Sequence, residues 1–503
     1  MSIQSAWQGT FDFWAELPIV VQPSAARLTS DAGLLPLRQF DEHIGLTRQF
    51  AQALDDPRDP ELCDHSFLEM VRSRIFGILA AYEDQNDHDA LRHDPVFKLL
   101  ADRSPDAEPL ASQPTLSRFE NAISIASLKR LRDQFIDQFI ASFTTPPKHL
   151  TFDIDAVDDP AHGEQQLVLF HGYFDQYQYF PSFITSADND QIVVLSLRPG
   201  AVHAALGADD DLEHLVRRLR QVWPDVHIHV RGDCGYGVPW MYDVCERLGV
   251  DYTFGISGNS VLKQHSETLL ERAQAQFTVT KEPQRLFEGF WYQAGTWDRP
   301  RWVIAKAEAH AKGTNRRFIV TNRPGARVLP QAAYDDYAAR GESENRNKEL
   351  KCDLAIDRTS DHRFMANYFR LYLHAAAMNL PVRLRRFIAE PSPAPKSQVE
   401  TVTTSTQSGE AAPPADEPCV PAEALTGAER QRNFRQRRQR DPLGEGHPCT
   451  WRTLLIKVVA EIVVRTRRIV VRLSSSWPHL DWYRRVCERL RAPLPIPVPH
   501  PSG

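Results

Sequence analysis

The sequence has few cysteines, and none stands in a spacing that builds a metal or disulfide site. Its 503 residues include seven cysteines, an odd and scattered set without a CxxC pair. This distribution argues against a disulfide framework and against a structural zinc site. It favours a reducing compartment, so a cytoplasmic protein is expected.

Long hydrophobic runs are also missing. The N-terminal residues MSIQSAWQGTFDFWAELP contain no basic segment followed by an apolar core, so no signal peptide is expected. The most apolar stretch, residues 453–473, is interrupted by six charged side chains and is not expected to span a bilayer. The sequence therefore predicts no membrane partner.

Negative charge is scarce at the C-terminal end. The whole chain has a net charge of −6, but from Gly427 onward sixteen Lys and Arg face six Asp and Glu, a net of +10. The remainder must then carry −16. A basic end on an acidic body is compatible with nucleic-acid binding.

Composition divides the chain into four predicted segments. Residues 1–145 are predicted to be a helical domain, either a small DNA-binding unit or a domain that packs on the rest. Residues 146–390 are predicted to be the catalytic domain. Residues 391–426, rich in Pro, Ser, Thr and Ala, are predicted to be a disordered linker. Residues 427–503 form a basic amphipathic C-terminal segment.

The segment after residue 146 changes from a helical to a strand pattern. HLTFDIDAV, QQLVLFHGYF and QIVVLSLRP are typical of strands, and helices then alternate with the strands HIHVRGD and DYTFGIS. This order predicts an α/β fold with a mixed sheet and flanking helices, the order of the ribonuclease H-like fold. The aromatic, strand-rich residues at about 280–322 are predicted to be a β insertion.

The C-terminal segment contains two basic patterns. The block AERQRNFRQRRQR is interpreted as a nucleic-acid contact. After Trp451 the spacing predicts an amphipathic helix whose one stripe carries most of the charge, and this stripe either contacts DNA phosphates or is a solvated face. The stripe consists of Lys457, Glu461, Arg465, Arg468 and Arg472.

One further stripe carries chemistry rather than charge alone. Tyr337, Arg340, Glu344 and Lys351 follow one another at offsets of three, four and seven. On a single helix at roughly 100° per residue they point within about 60° of one another. A carboxylate suits a metal ion, while cations and a hydroxyl suit phosphates, so the stripe predicts phosphodiester chemistry. Charged stripes are otherwise usually solvated faces.

Two further acidic sites lie at predicted strands. Asp153 and Asp155 in TFDIDAV share one side of a strand, and Asp233 follows another strand just before glycines. In open α/β sheets such strand ends form the binding crevice. Aspartates from this sheet and a glutamate from a later helix can hold two Mg²⁺ ions, which clamp the attacking and leaving oxygens at phosphorus.

These motifs together resemble the DDE transposases of bacterial insertion sequences. The helical stripe matches their Y-x2-R-x3-E-x6-K signature, and TFDIDAVDDPAHG, HVRGDCGYG and YTFGISGN resemble the surroundings of their two aspartates. The resemblance runs from about residue 41 to 381, and it is closest to the branch with a β insertion before the glutamate.

The resemblance implies that Asp155, Asp233 and Glu344 are the catalytic, metal-binding triad, with two Mg²⁺ ions per site and Mn²⁺ as a substitute. Asp155 is preferred to Asp153 because a small residue follows it, although the family's next Thr is Val157 here. Two other glutamates, Glu342 and Glu349, do not fit the spacing.

The same resemblance implies how DNA is held. Tyr337, Arg340 and Lys351 are expected to hold phosphates at the cleaved end, and Lys348 on the same face is a further phosphate contact. The branch uses a hairpin intermediate with a flipped base stacked on an aromatic ring. Candidates for that ring, or else core aromatics of the insertion, are Trp291, Trp297 and Trp302.

The function implied is a transposase that binds terminal inverted repeats, cleaves the element ends and joins the 3′-ends to target DNA. Its partners are double-stranded DNA and a second protomer, in a homodimer or higher synaptic complex, at the bacterial nucleoid. Two alternatives remain open: a ribonuclease H-like nuclease or resolvase that hydrolyses without joining, and a non-catalytic DNA-binding derivative.

Overall fold

The structure, a computed structural model, describes residues 9–11, 17, 19–22, 24–161, 163–389 and 447–491. The predicted linker at 391–426 and the arginine block at 428–440 lie outside these residues. Within the described ranges, no helix has both the length and the apolar character needed to cross a bilayer.

The N-terminal part is mostly helical. Side chains begin two of its long helices: Ser66 accepts a hydrogen bond from the Glu69 amide at 3.1 Å, and Ser124 accepts one from the Ser127 amide at 3.1 Å. The elements are β1 (Gly9–Phe11), β2 (Ile19–Val21), β3 (Leu28–Thr29), α1 (Leu34–Ile44), α2 (Leu46–Gln52), α3 (Phe67–Leu79), α4 (His88–Leu91), α5 (Pro95–Leu100), α6 (Gln113–Asn121) and α7 (Ile125–Ile140).

An eight-stranded mixed sheet follows, which confirms the predicted α/β class. Its order is β12-β13-β14-β11-β10-β4-β8-β9, and β10 is parallel to both β4 and β11. The elements are β4 (His149–Ala156), β5 (Asp159–Pro160), β6 (Leu169–His171), β7 (Gln176–Tyr179), β8 (Ser182–Ser186), β9 (Ile192–Ser196), α8 (Ala208–Val222), β10 (His227–Gly232), α9 (Pro239–Leu248), β11 (Asp251–Ile256), α10 (Ser260–His265), α11 (Glu267–Thr280), β12 (Gln284–Tyr292), β13 (Arg301–His310) and β14 (Gly313–Thr321).

Two strand predictions need correction. QQLVLFHGYF was predicted to be the second strand, but only β6 forms there, in a small sheet of order β5-β7-β6. The strand that pairs with β4 is β8. All five residues of its sequence SFITS are buried, although three of them are polar. The strands of the predicted insertion form as expected, but β14 pairs with β11, so they extend the main sheet.

Three helices follow the sheet. They are α12 (Pro330–Ala338), α13 (Gly341–Lys348) and α14 (Phe364–Ala389), and a π-helical turn at Glu349–Asp353 follows α13. The single helix predicted over Tyr337–Lys351 is therefore wrong. Ala339 and Arg340 keep right-handed helical dihedrals between α12 and α13, so the angular spacing survives up to α13.

The helix predicted after Trp451 is also wrong. The structure has α15 (Pro448–Trp451), a π-helical turn at Arg452–Ile456, the antiparallel strands β15 (Ala460–Arg465) and β16 (Arg468–Leu473), and α16 (Leu480–Arg491). The run EIVVRTRRIVVRL is rich in Val and Ile, and β-branched side chains favour strands. The helical spacing of its charges was coincidental.

Two hydrophobic cores hold the described fold together. One lies between the sheet and helices α8, α9 and α11. The other surrounds α14, which is buried on most of its circumference, and combines the N-terminal helices with the C-terminal segment. Trp451, 1% exposed, belongs to this second core. Residues 447–491 are therefore part of the helical body.

Candidate active site

The two predicted catalytic aspartates lie at the carboxyl ends of neighbouring parallel strands. Ile154 of β4 is the register partner of Gly232 of β10, so Asp155 and Asp233 each lie one residue further along. Adjacent strands are about 4.8 Å apart. The chain turns directly after Asp233, and Asp233 Oδ1 accepts a hydrogen bond from the Gly235 amide at 2.9 Å. The structure thus brings both aspartates together at one sheet edge.

Helix α13 brings the predicted glutamate to the same edge through an arginine. The guanidinium of Arg340 donates to Glu344 Oε1 at 3.1 Å, and its Nη1 lies 3.9 Å from Asp155 Oδ2. Arg340 is 13% exposed and Glu344 is 56% exposed. Glu344 therefore stands at the solvent side of the crevice, and Arg340 lies between it and the aspartate.

The charges in this crevice act on one another. Burial, together with the negative charges of Asp233 and Glu344, raises the pKa of Asp155 to about 6, although Arg340 opposes the shift. A carboxyl group whose pKa is raised by neighbouring carboxylates is typical of a functional site.

One residue of the site was missed by the sequence analysis. Asn347 lies one turn after Glu344 on α13, and its side-chain amide donates to Asp155 Oδ2 at 2.8 Å. The spacing of three from Glu344 was the available signal, because residues three apart share a helical face. Because Asn347 is uncharged, its residue type alone did not indicate a role among the charged residues of α13.

Asp153, the alternative to Asp155, is engaged elsewhere. Both of its oxygens are bonded by Arg231, Oδ1 to Nε at 2.7 Å and Oδ2 to Nη2 at 2.9 Å. Asp153 is 3% exposed. Such a bidentate pair leaves little capacity for a metal ion, and the geometry favours Asp155.

The two other glutamates face different surroundings. Glu342 lines a cavity of 380 Å³ next to Asp153 and Arg346. Glu349 lies in the π-helical turn, is 2% exposed, and pairs with Arg346 and with His447 Nδ1 at 2.7 Å. The partners of both glutamates therefore differ from those of Asp155.

The predicted phosphate contacts divide into two groups. The Tyr337 hydroxyl lies at the aspartate edge, where a Cβ on Gly255 would come within 2.8 Å of it. Lys351 lies in the wider π-helical turn and instead binds Asp158, with Nζ 2.9 Å from Oδ1. Lys348 is exposed and has no ion-pair partner among the described residues.

The three tryptophans differ in accessibility. Trp297 is 8% exposed and packs between Tyr242 and Tyr292, so its ring belongs to the core. Trp302 is half-buried and contacts Trp291 edge-on at 5.5 Å. Trp291 is 52% exposed, which leaves it the most accessible of the three rings.

The donor set at the sheet edge suits a hard divalent cation, since carboxylate oxygens are the ligands that Mg²⁺ prefers. The mutual repulsion that raises the pKa of Asp155 is what a bound cation would relieve. Across the described ranges, however, no three His, Cys, Asp or Glu side chains converge in a metal-holding arrangement. Glu344, which Arg340 links to Asp155 from the solvent side, is the side chain that would complete such a set.

Comparisons with known proteins complete the description of the site. The family model described as "Transposase DDE domain group 1" matches residues 12–405, which is most of the chain. A comparison with curated proteins finds no match. Among solved structures, a piggyBac transposase synaptic complex with hairpin DNA is similar at 13% identity and a TM-score of 0.31, over 74% of this chain and 86% of that one.

Proposed function

The chain belongs to the family of transposases with a group 1 DDE domain, and from this premise we propose that it is an insertion-sequence transposase that cuts and joins DNA at the ends of its element. One observation carries the proposal. Asp155 and Asp233 end neighbouring parallel strands, and α13 brings Glu344 to them through Arg340. The shared charge field of the three carboxylates supports one joint role.

The topology supports a ribonuclease H-like catalytic domain. Along the sheet, β9, β8 and β4 are joined as antiparallel neighbours, and β10 and β11 then follow as parallel strands reached through helices α8 and α9. The strands first predicted as an insertion widen this sheet beyond β11.

The triad Asp155, Asp233 and Glu344 would hold two Mg²⁺ ions, with Mn²⁺ as a substitute. When bound, such ions stabilise negative charge at phosphorus and lower the pKa of the attacking water or 3′-hydroxyl. Asn347 fixes the orientation of the Asp155 carboxylate through its 2.8 Å hydrogen bond. Arg340 keeps Glu344 beside the aspartates without neutralising all three negative charges.

The remaining residues of the stripe hold the DNA end. Tyr337 and Arg340 present a hydroxyl and a cation at the carboxylate edge, and Lys348 adds an exposed cation four residues after Glu344. These groups suit phosphate oxygens. Lys351 joins them when a phosphate replaces Asp158 as its partner. In a cut-and-paste pathway with hairpin ends, Trp291 offers the exposed ring on which a flipped base stacks.

The partners proposed are the two terminal inverted repeats, the target DNA and a second protomer, since both ends must be handled together. The decisive test uses a supercoiled plasmid that carries both element ends, incubated with the full chain and Mg²⁺. Joined products support transposition. Nicks or breaks without joining indicate a hydrolytic nuclease or resolvase, and shifted but uncut DNA indicates a non-catalytic binder.

The Glu344→Gln variant identifies the site within that assay. We expect it to lower cleavage by at least about 10³-fold, equivalent to about 4 kcal/mol, while it still binds end DNA. Glu342→Gln is the matched control, because Glu342 is an exposed glutamate of the same helix, and it should retain activity. Full activity of Glu344→Gln, or an equal loss in Glu342→Gln, would contradict the assignment.

A further inference from the structure

Residues 455–457 pack closely against the turn that precedes α1. A Cβ on Gly33 would lie 1.7 Å from the Leu455 carbonyl oxygen, so this approach requires glycine. The Gly33 amide donates to the Ile456 carbonyl at 3.2 Å, and Lys457 Nζ lies 2.7 Å from Asp31 Oδ1. The strands β15 and β16 therefore start from a fixed base.

These strands form a hairpin, residues 460–473, with one apolar and one polar face. Ala460 and Ile462 are buried against the helical core, while β15 pairs with β3 through Ala460 and Thr29. Glu461 and Arg472 are register partners on the opposite face and form an ion pair at 3.0 Å. The hairpin thus presents its charged face away from the core.

The hairpin tip is the unusual part. Arg465, Thr466, Arg467 and Arg468 are all exposed. No carboxylate of the described residues lies within 4.0 Å of any of the three arginines. Arg465 and Arg468 are direct register partners across the two strands. Like charges placed opposite each other weaken a hairpin, and an anion bound at the tip would relieve their repulsion.

We propose that the hairpin tip, Arg465, Arg467 and Arg468, is a phosphate-binding surface through which the protein holds duplex DNA outside the catalytic crevice. Arginine suits this role because its planar fork binds phosphate oxygens and stays charged. The base of the hairpin holds the tip fixed relative to the body, so the contact positions the duplex. The inference deepens the proposed transposase function and rests on it for the identity of the DNA.

His447 and Cys449 also contact the turn that follows α13. His447 Nδ1 lies 2.7 Å from Glu349, and the Cys449 amide donates to Asp353 at 3.5 Å, both in the turn that follows α13. A duplex held at the tip is thereby mechanically connected to the element that carries Glu344. This continuity favours DNA of the element end over an unrelated anionic partner.

The test measures binding of the full chain to duplex end DNA without Mg²⁺, as a function of salt concentration. Replacing Arg465, Arg467 and Arg468 together with Gln should reduce the slope of log K against log salt by about 2.7, since each phosphate contact contributes about 0.9. At 0.1 M salt this corresponds to roughly 500-fold weaker binding. The triple Arg→Lys variant should retain most of the slope because it retains the charges.

The matched control removes three exposed arginines elsewhere, Arg217, Arg247 and Arg299, which are 68%, 55% and 55% exposed and pair with glutamates. Its net charge change is identical, and its salt slope should stay unchanged. An unaltered slope in the tip variant, an equal loss in the control, or aggregation of the tip variant with normal DNA binding would overturn the proposal. The last result would indicate edge protection of β16 instead.

This experiment separates the two proposals. The tip variant should still cleave plasmid ends at saturating protein, because none of its three positions belongs to the carboxylate edge. Weaker DNA binding with residual cleavage supports the tip assignment and leaves the transposase assignment unchanged. Absence of cleavage in the unmodified chain contradicts the transposase assignment and leaves the test of DNA binding at the tip unchanged. Unchanged thermal unfolding of the tip variant shows that the fold is intact.

Discussion

Glu120 and Asp155 are both buried carboxylates, but their surroundings shift their pKa values in opposite directions. Glu120 is fully buried, and the Nε atoms of Arg74 and Arg370 lie 2.7 and 2.6 Å from its two oxygens. Burial alone would raise the pKa of Glu120, but the two guanidinium groups outweigh it and hold the pKa at about 2.

Asp155 has the contrary environment. Burial raises its pKa, Asp233 and Glu344 raise it further, and Arg340 only partly offsets them, so that the pKa is about 6. The charge of Glu120 is balanced within the fold, whereas the charge of the edge around Asp155 is not. Glu120 therefore joins α3, α6 and α14, while the unbalanced negative charge around Asp155 supports our proposal that this edge holds a cation.

The largest effect expected from this comparison is on stability. Glu120→Gln removes the negative charge between two buried guanidinium groups, so that Arg74 loses its carboxylate partner and Arg370 keeps only Asp361 at 3.8 Å. We expect the free energy of unfolding to fall by about 3–5 kcal/mol, measured by urea denaturation of the full chain. Glu344→Gln, at a half-exposed position, should change it by no more than about 0.5 kcal/mol. Equal effects of the two variants would remove the distinction.

Asp155→Asn should act in the opposite direction. The raised pKa means that ionised Asp155 opposes folding at neutral pH, so the neutral amide should stabilise the fold by about 1–2 kcal/mol at pH 7 while activity is lost. The penalty is fully present above pH 6 and fades as the pH falls through 6 towards 4, because the folded carboxyl takes up its proton first.

Urea denaturation of Asp155→Asn and of the unmodified chain at pH 7 and at pH 4.5 measures this difference. The stability advantage of the variant should shrink at the lower pH. A variant that is less stable at pH 7 would mean that the hydrogen bonds of Asp155 outweigh the repulsion, and the edge would then resemble Glu120.

The sequence predicted the placement of the two proposed catalytic aspartates better than it predicted the architecture around them. Asp155, Asp233 and the alternation of strands and helices between them follow from local patterns, and the structure places both aspartates at adjacent strand ends. Local periodicity contains this information because strand and helix periods differ. The family assignment, which the match over residues 12–405 confirms, rested on the same motifs.

The errors have different physical causes. β8 is buried on both faces although its side chains include Ser and Thr, because a hydrophobic core lies on each side of the sheet, with Phe183 in one core and Ile184 in the other. The run after Trp451 has charges at helical spacing, but pairing of β15 with β3, more than four hundred residues away in sequence, selects a strand. Lys351 left its expected face because a π-helical turn widens the helix there. Tertiary contacts decided the burial of β8, whereas the β-branched residues after Trp451 and the π-helical turn at Lys351 are local features.

The ion triad around Glu120 was not predicted for the same reason. Its three residues lie on α3, α6 and α14, and Arg370 is 250 positions away from Glu120. Each residue alone has the pattern of an ordinary charged helix face. Only the fold brings them together, and a carboxylate without a motif gives no sequence signal for burial.

The smallest effect concerns how the two environments respond to a metal ion. At a Mg²⁺ concentration tenfold above the dissociation constant, binding to the folded chain should stabilise it by about 1.4 kcal/mol. Asn347→Ala removes the donor that orients Asp155. If affinity falls tenfold, as is common when such a supporting hydrogen bond is lost, the stabilisation drops to about 0.4 kcal/mol.

Thermal unfolding with and without Mg²⁺ measures this difference of about 1 kcal/mol. Asn345→Ala is the matched control, because Asn345 lies on the same helix and its amide bonds Glu342 at 3.2 Å, away from the aspartates; it should keep the full Mg²⁺ response. An unchanged response in Asn347→Ala would mean that Asp155 is oriented by its strand alone. A reduced response confined to Asn347→Ala would instead show that α13 supplies both a charge and a positioning contact to the site, which the balanced triad around Glu120 does not require.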